Sequence, residues 1–465
     1  MYQFDFNFKE HGKEAPKVHF TGIGGISMSG LAEILLSKGV TVSGSDNKES
    51  AVTKHLESLG ARVFIGQDEK NIASDTDVLV YTAAVKADNP ELLAADRLSI
   101  PKLTRAQFLG ELMKEYKTAI AVSGTHGKTT TTSMISEILL EDQADPTILV
   151  GGMLNRIGGN LRVGQSSTMI TEACEYTNSF LSFFPTHGII LNIKEDHLDF
   201  FKDIDDIRHS FKVFANLLPE HGCLVINGSI ENLSYIIEDC KCKVLTYGLN
   251  STDYDYSAHH ISYDERACGS FDLYHKEEKL ANIGLHVPGE HNVSNALAAI
   301  ATCLDLGISL DHIQAGFSAY TGTDRRFQVR GSFHGVTVVD DYAHHPDEIQ
   351  ATLHAAKQYP HKKLWVVFQP HTYTRTKALF DGFVQSLSKA DAVVLADIYA
   401  ARETDTLGVS SAQIADAIKK LGVESYHFAT FEEIENFFKK NCSEGDLLIT
   451  MGAGDVVNIA NDLTK

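Results

Sequence analysis

The residues with the clearest chemical potential form one short loop in the first third of the chain. The loop follows the apolar run AIAVS and reads Gly124-Thr125-His126-Gly127-Lys128-Thr129-Thr130. Glycines let main-chain N–H groups approach a phosphate closely, and the N-terminus of a following helix favours an anion. In such a loop Lys128 contacts the β- and γ-phosphates, and the Thr129 hydroxyl helps to hold Mg²⁺. The stretch therefore predicts a site for ATP and Mg²⁺.

The loop departs from the general phosphate-loop pattern at one position. That pattern has a glycine five residues before Gly127, where this chain has Val122. The alternative interpretation is an ordinary turn between a strand and a helix, with an exposed lysine. We favour the phosphate loop because residues suited to a metal follow it at predicted strand ends.

Those residues are carboxylates and a histidine. Glu172 stands at the end of one apolar run and is followed by Glu175, and His197 follows a second run that ends in Asn192. Ligands of α/β proteins bind at the carboxyl ends of parallel strands, and Mg²⁺ prefers hard oxygen ligands with an occasional imidazole. We predict that Glu172 and His197 bind the metal. The other acidic residues of this loop are interpreted as solvated: Glu195, Asp196 and Asp199.

A second glycine loop, TGIGGISMSG, lies near the start of the chain. Gly22 and Gly24 fit a dinucleotide-binding pattern, but Ser27 stands at the third glycine position. Asp46 closes a second predicted strand at the spacing expected for a ribose contact. A site for NAD, a site for a uridine nucleotide and a purely structural turn are all compatible with this pattern.

The second half of the chain adds weaker signals. Asn292 and Asn295 begin an alanine-rich helix, where asparagine can face an adenine edge or simply cap the helix. Arg325 and Arg326 stand at the junction to the last segment, where a guanidinium could reach a γ-phosphate. Further polar candidates stand near predicted strand ends: Asp341, Tyr342, His344, His371 and Arg375.

Apolar runs that alternate with amphipathic helices must position all of these residues. From Val18 onward this alternation predicts an α/β protein with mostly parallel sheets. We predict three segments that resemble nucleotide-binding folds, and a β-rich insertion over 223–287 in the middle one. The segments cover residues 1–105, 106–322 and 323–465.

Bulk composition narrows the class of protein. A chain of 465 residues predicts two to four domains, and its net charge of −20 argues against a surface that coats nucleic acid. Without a run of about eighteen apolar residues or a secretory signal we expect no membrane insertion and a cytoplasmic location. The seven cysteines form no disulfide framework, and Cys240 and Cys242 are interpreted as reduced thiols.

Taken together, the motifs resemble those of the Mur ligase family of peptidoglycan synthesis. The strings GIGGISMSG, SGSD, GTHGKTTTT, EACEYTNSF, LNIKEDHLDFF, PGEHNVSNALAA, DRRF, VDDYAHHP and FQPHTYTRT follow the family order over nearly the whole chain. The resemblance implies an N-terminal Rossmann-like domain for a UDP-sugar, a central P-loop ATPase domain and a C-terminal Rossmann-like domain for an amino acid. It also implies that ATP phosphorylates the lactyl carboxylate of UDP-N-acetylmuramate and that L-alanine attacks the acyl phosphate.

The resemblance implies residue roles by position. The catalytic residues are Lys128, His197 and Arg326, and the Mg²⁺ ligands are Thr129, Glu172 and His197. ATP is contacted by Gly124, Thr125, His126, Gly127, Lys128, Thr129, Thr130, Asn292, Asn295, Arg326 and Asp341. The UDP-sugar lies against Gly22, Gly24, Gly25, Ser27, Met28, Ser29 and Asp46. The alanine site is lined by Tyr342, His344 and Arg375.

The chain departs from the family pattern at several places. Many relatives have Asp-Glu-Ser-Asp where this chain has the four residues that begin at Cys174, and arginine where it has Thr372. A pair of serines frequent in the family is Thr82-Ala83 here. Lys212 lies one residue out of register with a lysine that several relatives carbamylate, so it is assigned no role.

Three other functions remain to be compared with this one. A recycling ligase of the same fold adds a preformed tripeptide to the same muramate, but the FQPH string and the GIGG loop favour the alanine reaction. An NAD-dependent oxidoreductase would leave GTHGKTT unexplained, and a non-catalytic nucleotide sensor would release no phosphate. We expect a monomer or a weak homodimer.

Overall fold

The computed structural model describes most of the chain as two compact units. The described residues are 4–6, 8, 11–82, 84–198, 200–401, 403–405 and 407–465, so Ala83 and Asp199 lie outside them. One unit comprises residues 1–247 and 298–308, and the other comprises 248–297 and 309–465. Within the described part of the chain, every helix is too short or too polar to cross a membrane.

A parallel sheet opens the first unit. Its strands are β1 (Lys17–Thr21), β2 (Thr41–Asp46), β3 (Arg62–Ile65), β4 (Val78–Tyr81) and β5 (Lys102–Thr104), in the order β3-β2-β1-β4-β5. Its helices are α1 (Ile26–Lys38), α2 (Ala51–Ser58), α3 (Pro90–Arg97) and α4 (Arg105–Met113). The predicted strand, glycine turn and helix near the start of the chain are confirmed, and Gly39 ends α1 with a φ of 85°.

Further strands of the first unit run side by side in the order β12-β11-β10-β6-β9-β7-β8. They are β6 (Thr118–Ser123), β7 (Thr147–Leu154), β8 (Gly159–Arg162), β9 (Thr168–Ala173), β10 (His187–Ile190), β11 (Cys223–Asn227) and β12 (Lys243–Leu249). The edge pair β7–β8 is antiparallel and the other pairs are parallel. The helices here are α5 (Lys128–Glu141), α6 (Ile204–Ala215) and α7 (Leu233–Ile237).

The second unit begins with three antiparallel strands: β13 (Tyr256–Tyr263), β14 (Cys268–His275) and β15 (Glu278–Pro288). They are followed by the helices α8 (Glu290–Asp305), of which residues 298–305 are assigned to the first unit, and α9 (Leu310–Ala319). The β-rich stretch predicted over 223–287 is therefore present, with one correction. Because β11 pairs in parallel with β10, the neighbour of β6, and β12 pairs in parallel with β11, both strands belong to the main sheet of the first unit and not to an insertion.

A second mainly parallel sheet completes the second unit, with buried apolar side chains on both faces. Its strands are β16 (Gln328–Phe333), β17 (Val336–Asp341), β18 (Leu364–Phe368), β19 (Ala392–Leu395), β20 (Glu424–His427) and β21 (Leu447–Met451), in the order β16-β17-β21-β18-β19-β20. Its helices are α10 (Pro346–Gln358), α11 (Tyr373–Ala378), α12 (Phe380–Leu387), α13 (Ser411–Lys420), α14 (Phe431–Asn441) and α15 (Val457–Leu463).

The α/β class predicted from the sequence is confirmed, and the carboxyl ends of β6, β9 and β10 lie next to one another. Parallel neighbours bring the residues that follow each strand to one edge of the sheet. One predicted strand end is wrong, because β10 ends at Ile190 and not at Asn192. The domain boundaries after residues 105 and 322 stay a prediction.

Candidate active site

The predicted phosphate loop lies between β6 and α5. Gly124 and Gly127 have φ angles of 140° and 88°, which favour glycine. A Cβ on Gly124 would stand 2.9 Å from the Cβ of Leu191. Val122, at the position where the general pattern has a glycine, is a fully buried residue of β6. The turn therefore begins at Gly124, two residues after the position at which the general pattern places its first glycine.

Asn192 fixes this loop from the exit of the neighbouring strand. Its Oδ1 accepts a hydrogen bond from the His126 N–H at 2.9 Å, and its Nδ2 donates to the His126 carbonyl at 2.9 Å. The Thr125 N–H donates to the Asn192 carbonyl at 3.1 Å. These bonds explain why β10 ends before Asn192, whose backbone and side chain bond to the loop instead.

Lys128, the first residue of α5, lies beside Glu175 with only 15% of its side chain exposed. Its Nζ is 2.9 Å from Glu175 Oε2 and donates to the carbonyls of Gly124 and Thr125 at 2.5 and 3.2 Å. Burial alone lowers the pKa of Lys128, but the neighbouring negative groups, Glu175 first, together outweigh it, so the pKa lies above its ordinary value. Lys128 is therefore a charged ammonium at the edge of the sheet.

Glu175 also joins His197 to this cluster. Glu175 Oε1 lies 3.9 Å from His197 Nε2, and it has no hydrogen-bond partner among the described residues. The His197 ring stacks on Tyr176 with the ring centroids 4.4 Å apart. The sequence interpretation gave Glu175 no role, although it is the residue that contacts both Lys128 and His197.

Glu172 lies one residue before the end of β9. Its Oε1 accepts a hydrogen bond from the Gly151 N–H at 2.5 Å, and its charge also raises the pKa of Lys128. A Cβ on Gly151 would stand 2.9 Å from that oxygen, so the glycine leaves room for the carboxylate. Thr129 follows Lys128 in the first turn of α5 and is buried. The lysine predicted to be catalytic and the carboxylates of Glu172 and Glu175 therefore lie at the same edge of the sheet.

The acidic residues near His197 are predicted to be solvated, and the structure agrees for one of them and disagrees for another. Glu195 is exposed, as predicted. Asp196 is a correction, because its side chain is only 11% exposed and its Oδ1 accepts a hydrogen bond from the His197 N–H at 2.7 Å. Its carboxylate fixes the turn in which His197 has a φ of 53°. Asp199 falls outside the described residues.

The first glycine loop is tied to the end of β2. Gly22, with a φ of 88°, and Ile23 both donate their N–H groups to the Ser45 carbonyl, at 2.8 and 2.9 Å. The Gly24 N–H donates to Asp46 Oδ2 at 2.9 Å, and a Cβ on Gly24 would stand 2.8 Å from that oxygen. Asp46 therefore shapes the loop itself.

The other residues predicted for the UDP-sugar lie at the start of α1. Gly25 is the N-cap and is exposed together with Ser27. The Ser29 hydroxyl donates to the Ile26 carbonyl at 2.9 Å. The side chain of Met28 is 2% exposed and packs into the hydrophobic core, so it supports α1 from inside.

In the second unit, the two neighbouring arginines have different environments. Arg325 pairs with the buried Asp340 at 3.0 Å and donates to the carbonyls of Gly452 and Gly454 at 2.7 and 3.1 Å, so it holds the sheet together. Both guanidinium groups lie over the ring of Tyr342, with Cζ 4.9 Å from the ring centroid for Arg325 and 5.3 Å for Arg326. The bonds to Asp340 and to the two glycine carbonyls give Arg325 a structural role, whereas the ATP contact is predicted for Arg326.

Asp341 ends β17 close to Arg326. Its carboxylate accepts hydrogen bonds from the N–H groups of Phe327 at 2.8 Å and Ala343 at 2.7 Å. Burial raises the pKa of Asp341 to about 6, although Arg326 opposes this shift. Asp341 therefore fixes the turn that follows Arg326 and the turn that follows its own strand.

Three residues predicted from DDYAHHP and FQPH form a chain of rings. The Tyr342 and His344 centroids are 5.4 Å apart, and those of His344 and His371 are 6.4 Å apart. Burial lowers the pKa of His371, and the charge of Arg375 lowers it further. The structure therefore brings the predicted alanine-site residues Tyr342, His344 and Arg375 into one neighbourhood through His371.

Asn292 and Asn295 lie in the first turns of α8 and are both buried. Asn295 Nδ2 donates to Asn292 Oδ1 at 3.0 Å, and Asn292 Nδ2 donates to the Pro288 carbonyl at 2.8 Å.

Lys212 of α6, to which the sequence assigns no role, is paired with Glu238 and Asp239 at 2.7 and 2.9 Å. These carboxylates hold the pKa of Lys212 above its ordinary value, so its amine is protonated.

Comparison with known proteins gives one consistent family. Residues 17–117 match the Mur ligase family catalytic domain, 122–303 the Mur ligase middle domain and 325–454 the Mur ligase glutamate ligase domain. A protein of Lachnospira eligens named UDP-N-acetylmuramate–L-alanine ligase is 58% identical over 465 residues, which cover both chains completely. The chain belongs to the Mur ligase family.

Other Mur ligases resemble it along the same length. A Clostridium botulinum protein of the same name is 51% identical over 456 residues, 98% of each chain. The crystal structure of the UDP-N-acetylmuramate–alanine ligase of Thermotoga maritima has a TM-score of 0.79 and 31% identity, covering 96% of this chain and 98% of that one. The three-domain Mur ligase architecture predicted from the motifs is thereby confirmed.

Proposed function

We propose that this Mur ligase joins L-alanine to the lactyl carboxylate of UDP-N-acetylmuramate, with ATP converted to ADP and phosphate. The observation that carries the proposal is the cluster of Lys128, Glu172, Glu175 and His197 around a phosphate loop. Full-length relatives that are 50% or more identical and bear the alanine-ligase name support the choice of substrates.

The chemistry explains why a phosphate loop serves an amide-forming enzyme. A carboxylate is a poor electrophile because its substitution would expel an oxide. A lactyl carboxylate oxygen attacks the γ-phosphorus of ATP, ADP leaves, and the resulting acyl phosphate has a good leaving group. The amine of L-alanine then attacks the acyl carbon, loses a proton, and phosphate departs. Lys128 would offset the charge on the transferring phosphoryl group.

The residues around Lys128 also suit Mg²⁺. Glu172 and Glu175 offer carboxylate oxygens, and Glu175 Oε1 is buried without a hydrogen-bond partner among the described residues. We propose that Thr129, Glu172 and His197 hold the ion, with Glu175 added to the predicted set. Bound there, Mg²⁺ would neutralise part of the negative charge on the phosphates of ATP.

The other two substrates are assigned to separate sites. We propose that Gly22, Gly24, Gly25, Ser27, Ser29 and Asp46 form the UDP-sugar site, with the backbone of Met28 behind them. The remaining ATP contacts are Gly124, Thr125, His126, Gly127, Thr130, Asn292, Asn295, Arg326 and Asp341. L-alanine would bind beside Tyr342, His344 and Arg375, where a guanidinium can grip its carboxylate with paired donors.

Phosphate release tests this function directly. The protein with ATP, Mg²⁺ and UDP-N-acetylmuramate should release phosphate when L-alanine is added, and each amino acid is screened in the same assay. Release driven by L-Ala-γ-D-Glu-diaminopimelate but not by free alanine would favour the recycling reaction. Tight binding of NADH without phosphate release would instead favour an oxidoreductase.

Glu172→Gln tests the proposed metal site. The change keeps the shape of the side chain but removes a negative charge, so it should raise the Mg²⁺ concentration for half-maximal phosphate release at least about tenfold. Mg²⁺-dependent binding of ATP, measured by calorimetry, should weaken in parallel. Glu195→Gln is the matched control, since Glu195 is an exposed glutamate of the neighbouring loop. An unchanged Mg²⁺ dependence in Glu172→Gln would remove Glu172 from the site.

A further inference from the structure

One face of the first sheet carries a buried polar cluster where an apolar layer is expected. His19 and Thr21 of β1 and Ser45 of β2 lie on this face, and Glu91 of α3 covers them. All four have no exposed surface, and Asn71 completes the set. We call these five residues the Glu91 cluster.

The Glu91 carboxylate is the centre of the cluster. Its Oε2 accepts hydrogen bonds from the hydroxyls of Thr21 and Ser45, each at 2.7 Å. Its Oε1 accepts one from Asn71 Nδ2 at 2.7 Å, and His19 Nε2 lies 3.4 Å from Oε2. Burial raises the pKa of Glu91, but the surrounding donors, His19 first, outweigh it and hold the pKa below its ordinary value. The carboxylate is therefore ionised, and both of its oxygens accept hydrogen bonds.

The cluster reaches the first glycine loop through β1 and β2. Thr21 is the residue immediately before Gly22, and Ser45 stands immediately before Asp46. While the Ser45 hydroxyl bonds to Glu91, its carbonyl accepts the N–H groups of Gly22 and Ile23. Glu91 thus fixes the two strand ends from which the loop and Asp46 emerge.

A second route leads from Glu91 to Asp46. Asn71 Nδ2, which donates to Glu91, also donates to the Gly66 carbonyl at 3.0 Å. The Gly66 N–H in turn donates to the Asp46 carbonyl at 2.8 Å. The backbone of Asp46 is therefore held from both sides by groups that converge on one buried carboxylate.

We propose that Glu91 is a positioning residue for the UDP-sugar site, an inference that rests on the proposed function of that loop. The stability of the sheet does not require a buried charge, since apolar side chains of the same volume often give a protein that is as stable. Hydrogen bonds are directional, however, and a buried network of them fixes the arrangement of the groups that it joins. Here the groups it joins are the ends of the strands that carry Gly22, Gly24 and Asp46.

Glu91→Gln is the decisive variant. An amide has one acceptor oxygen and one donor nitrogen, so it cannot accept from Asn71 and from both hydroxyls at once. We expect the dissociation constant for UDP-N-acetylmuramate, measured by calorimetry without ATP, to rise about tenfold. The KM for this substrate should rise in parallel, while kcat and the KM values for ATP and L-alanine stay within about twofold. Glu91→Ala should raise the dissociation constant further.

Leu92→Ala is the matched control. Leu92 is the next residue of α3, is buried against apolar neighbours, and makes none of the bonds that lead to the loop. It should lower the melting temperature but leave the affinity for the UDP-sugar unchanged. If Glu91→Gln fails to fold, Ser45→Ala and Asn71→Ala each remove one of the hydrogen bonds that connect Glu91 to the loop. Each of them should weaken the binding of UDP-N-acetylmuramate in the same titration.

The outcomes separate this inference from the proposed function. An unmodified protein that gives no heat with UDP-N-acetylmuramate would contradict the function assigned to the loop. If the unmodified protein binds and a folded Glu91→Gln binds equally well, or if Leu92→Ala weakens binding as much as Glu91→Gln, Glu91 has only a structural role and the inference is overturned.

Discussion

Lys128→Met should lower the turnover of phosphate release at least about a hundredfold. The ammonium is the cation that the phosphate loop offers to the transferring phosphoryl group, and the loss of one such contact raises the barrier by roughly 3 kcal/mol. Binding of UDP-N-acetylmuramate, which is assigned to another loop, should stay near normal. Single-turnover phosphate release and calorimetry measure the two quantities separately.

The structure adds a necessary control to this experiment. Lys128→Met leaves the buried carboxylate of Glu175 without the ammonium 2.9 Å away, so part of any loss could come from instability. The double variant Lys128→Met/Glu175→Gln removes that stranded charge and should fold more stably while remaining as inactive. Activity within about threefold of the parent in a folded Lys128→Met protein would exclude Lys128 from the mechanism.

Arg375→Ala should raise the KM for L-alanine about thirtyfold, with the affinity for the UDP-sugar unchanged. A hydrogen-bonded charge pair contributes roughly 2 kcal/mol, and the guanidinium is the donor in α11 that matches a carboxylate. The family resemblance implies an arginine where this chain has Thr372, so we expect Arg375 to carry more of this contact here. Steady-state kinetics with each substrate varied in turn measure the effect.

Two further variants make the test specific. Arg375→Lys should recover only part of the affinity, because an ammonium lacks the forked geometry of a guanidinium. Lys377→Ala is the matched control, since Lys377 is an exposed cation of the same helix. An unchanged dependence on alanine in both Arg375 variants would place the carboxylate elsewhere, and His344 would then be the next residue to test.

The phosphate loop could be predicted from the sequence because its features are local. A strand, two glycines, a lysine and a helix follow one another without a gap, and their order alone places Lys128 at the first turn of α5. The position of Glu172 at a strand end could be predicted for a similar reason, since it stands at the end of an apolar run that becomes β9.

Glu175 and Asn192 could not be assigned from the sequence, because their roles depend on the course of turns. Thr177 and Asn178 both have positive φ angles, 54° and 55°, and this unusual pair reverses the chain just after Glu175. Asn192 bonds to a loop 66 residues earlier in the chain. The sequence shows which residue types are present but not which backbone conformation turns Glu175 towards Lys128 and Asn192 towards His126.

The three bonds of Lys128 also determine how the loop receives its ligand. An ammonium has three donors, and here Glu175 and the carbonyls of Gly124 and Thr125 accept all of them. A phosphate oxygen can therefore reach Lys128 only by replacing one of these acceptors, so nucleotide capture is an exchange of partners. A triphosphate can reach more of the loop N–H groups than a single phosphate can, so its other contacts offset this exchange more fully. We therefore expect the loop to bind ATP in preference to free phosphate, a product of the reaction.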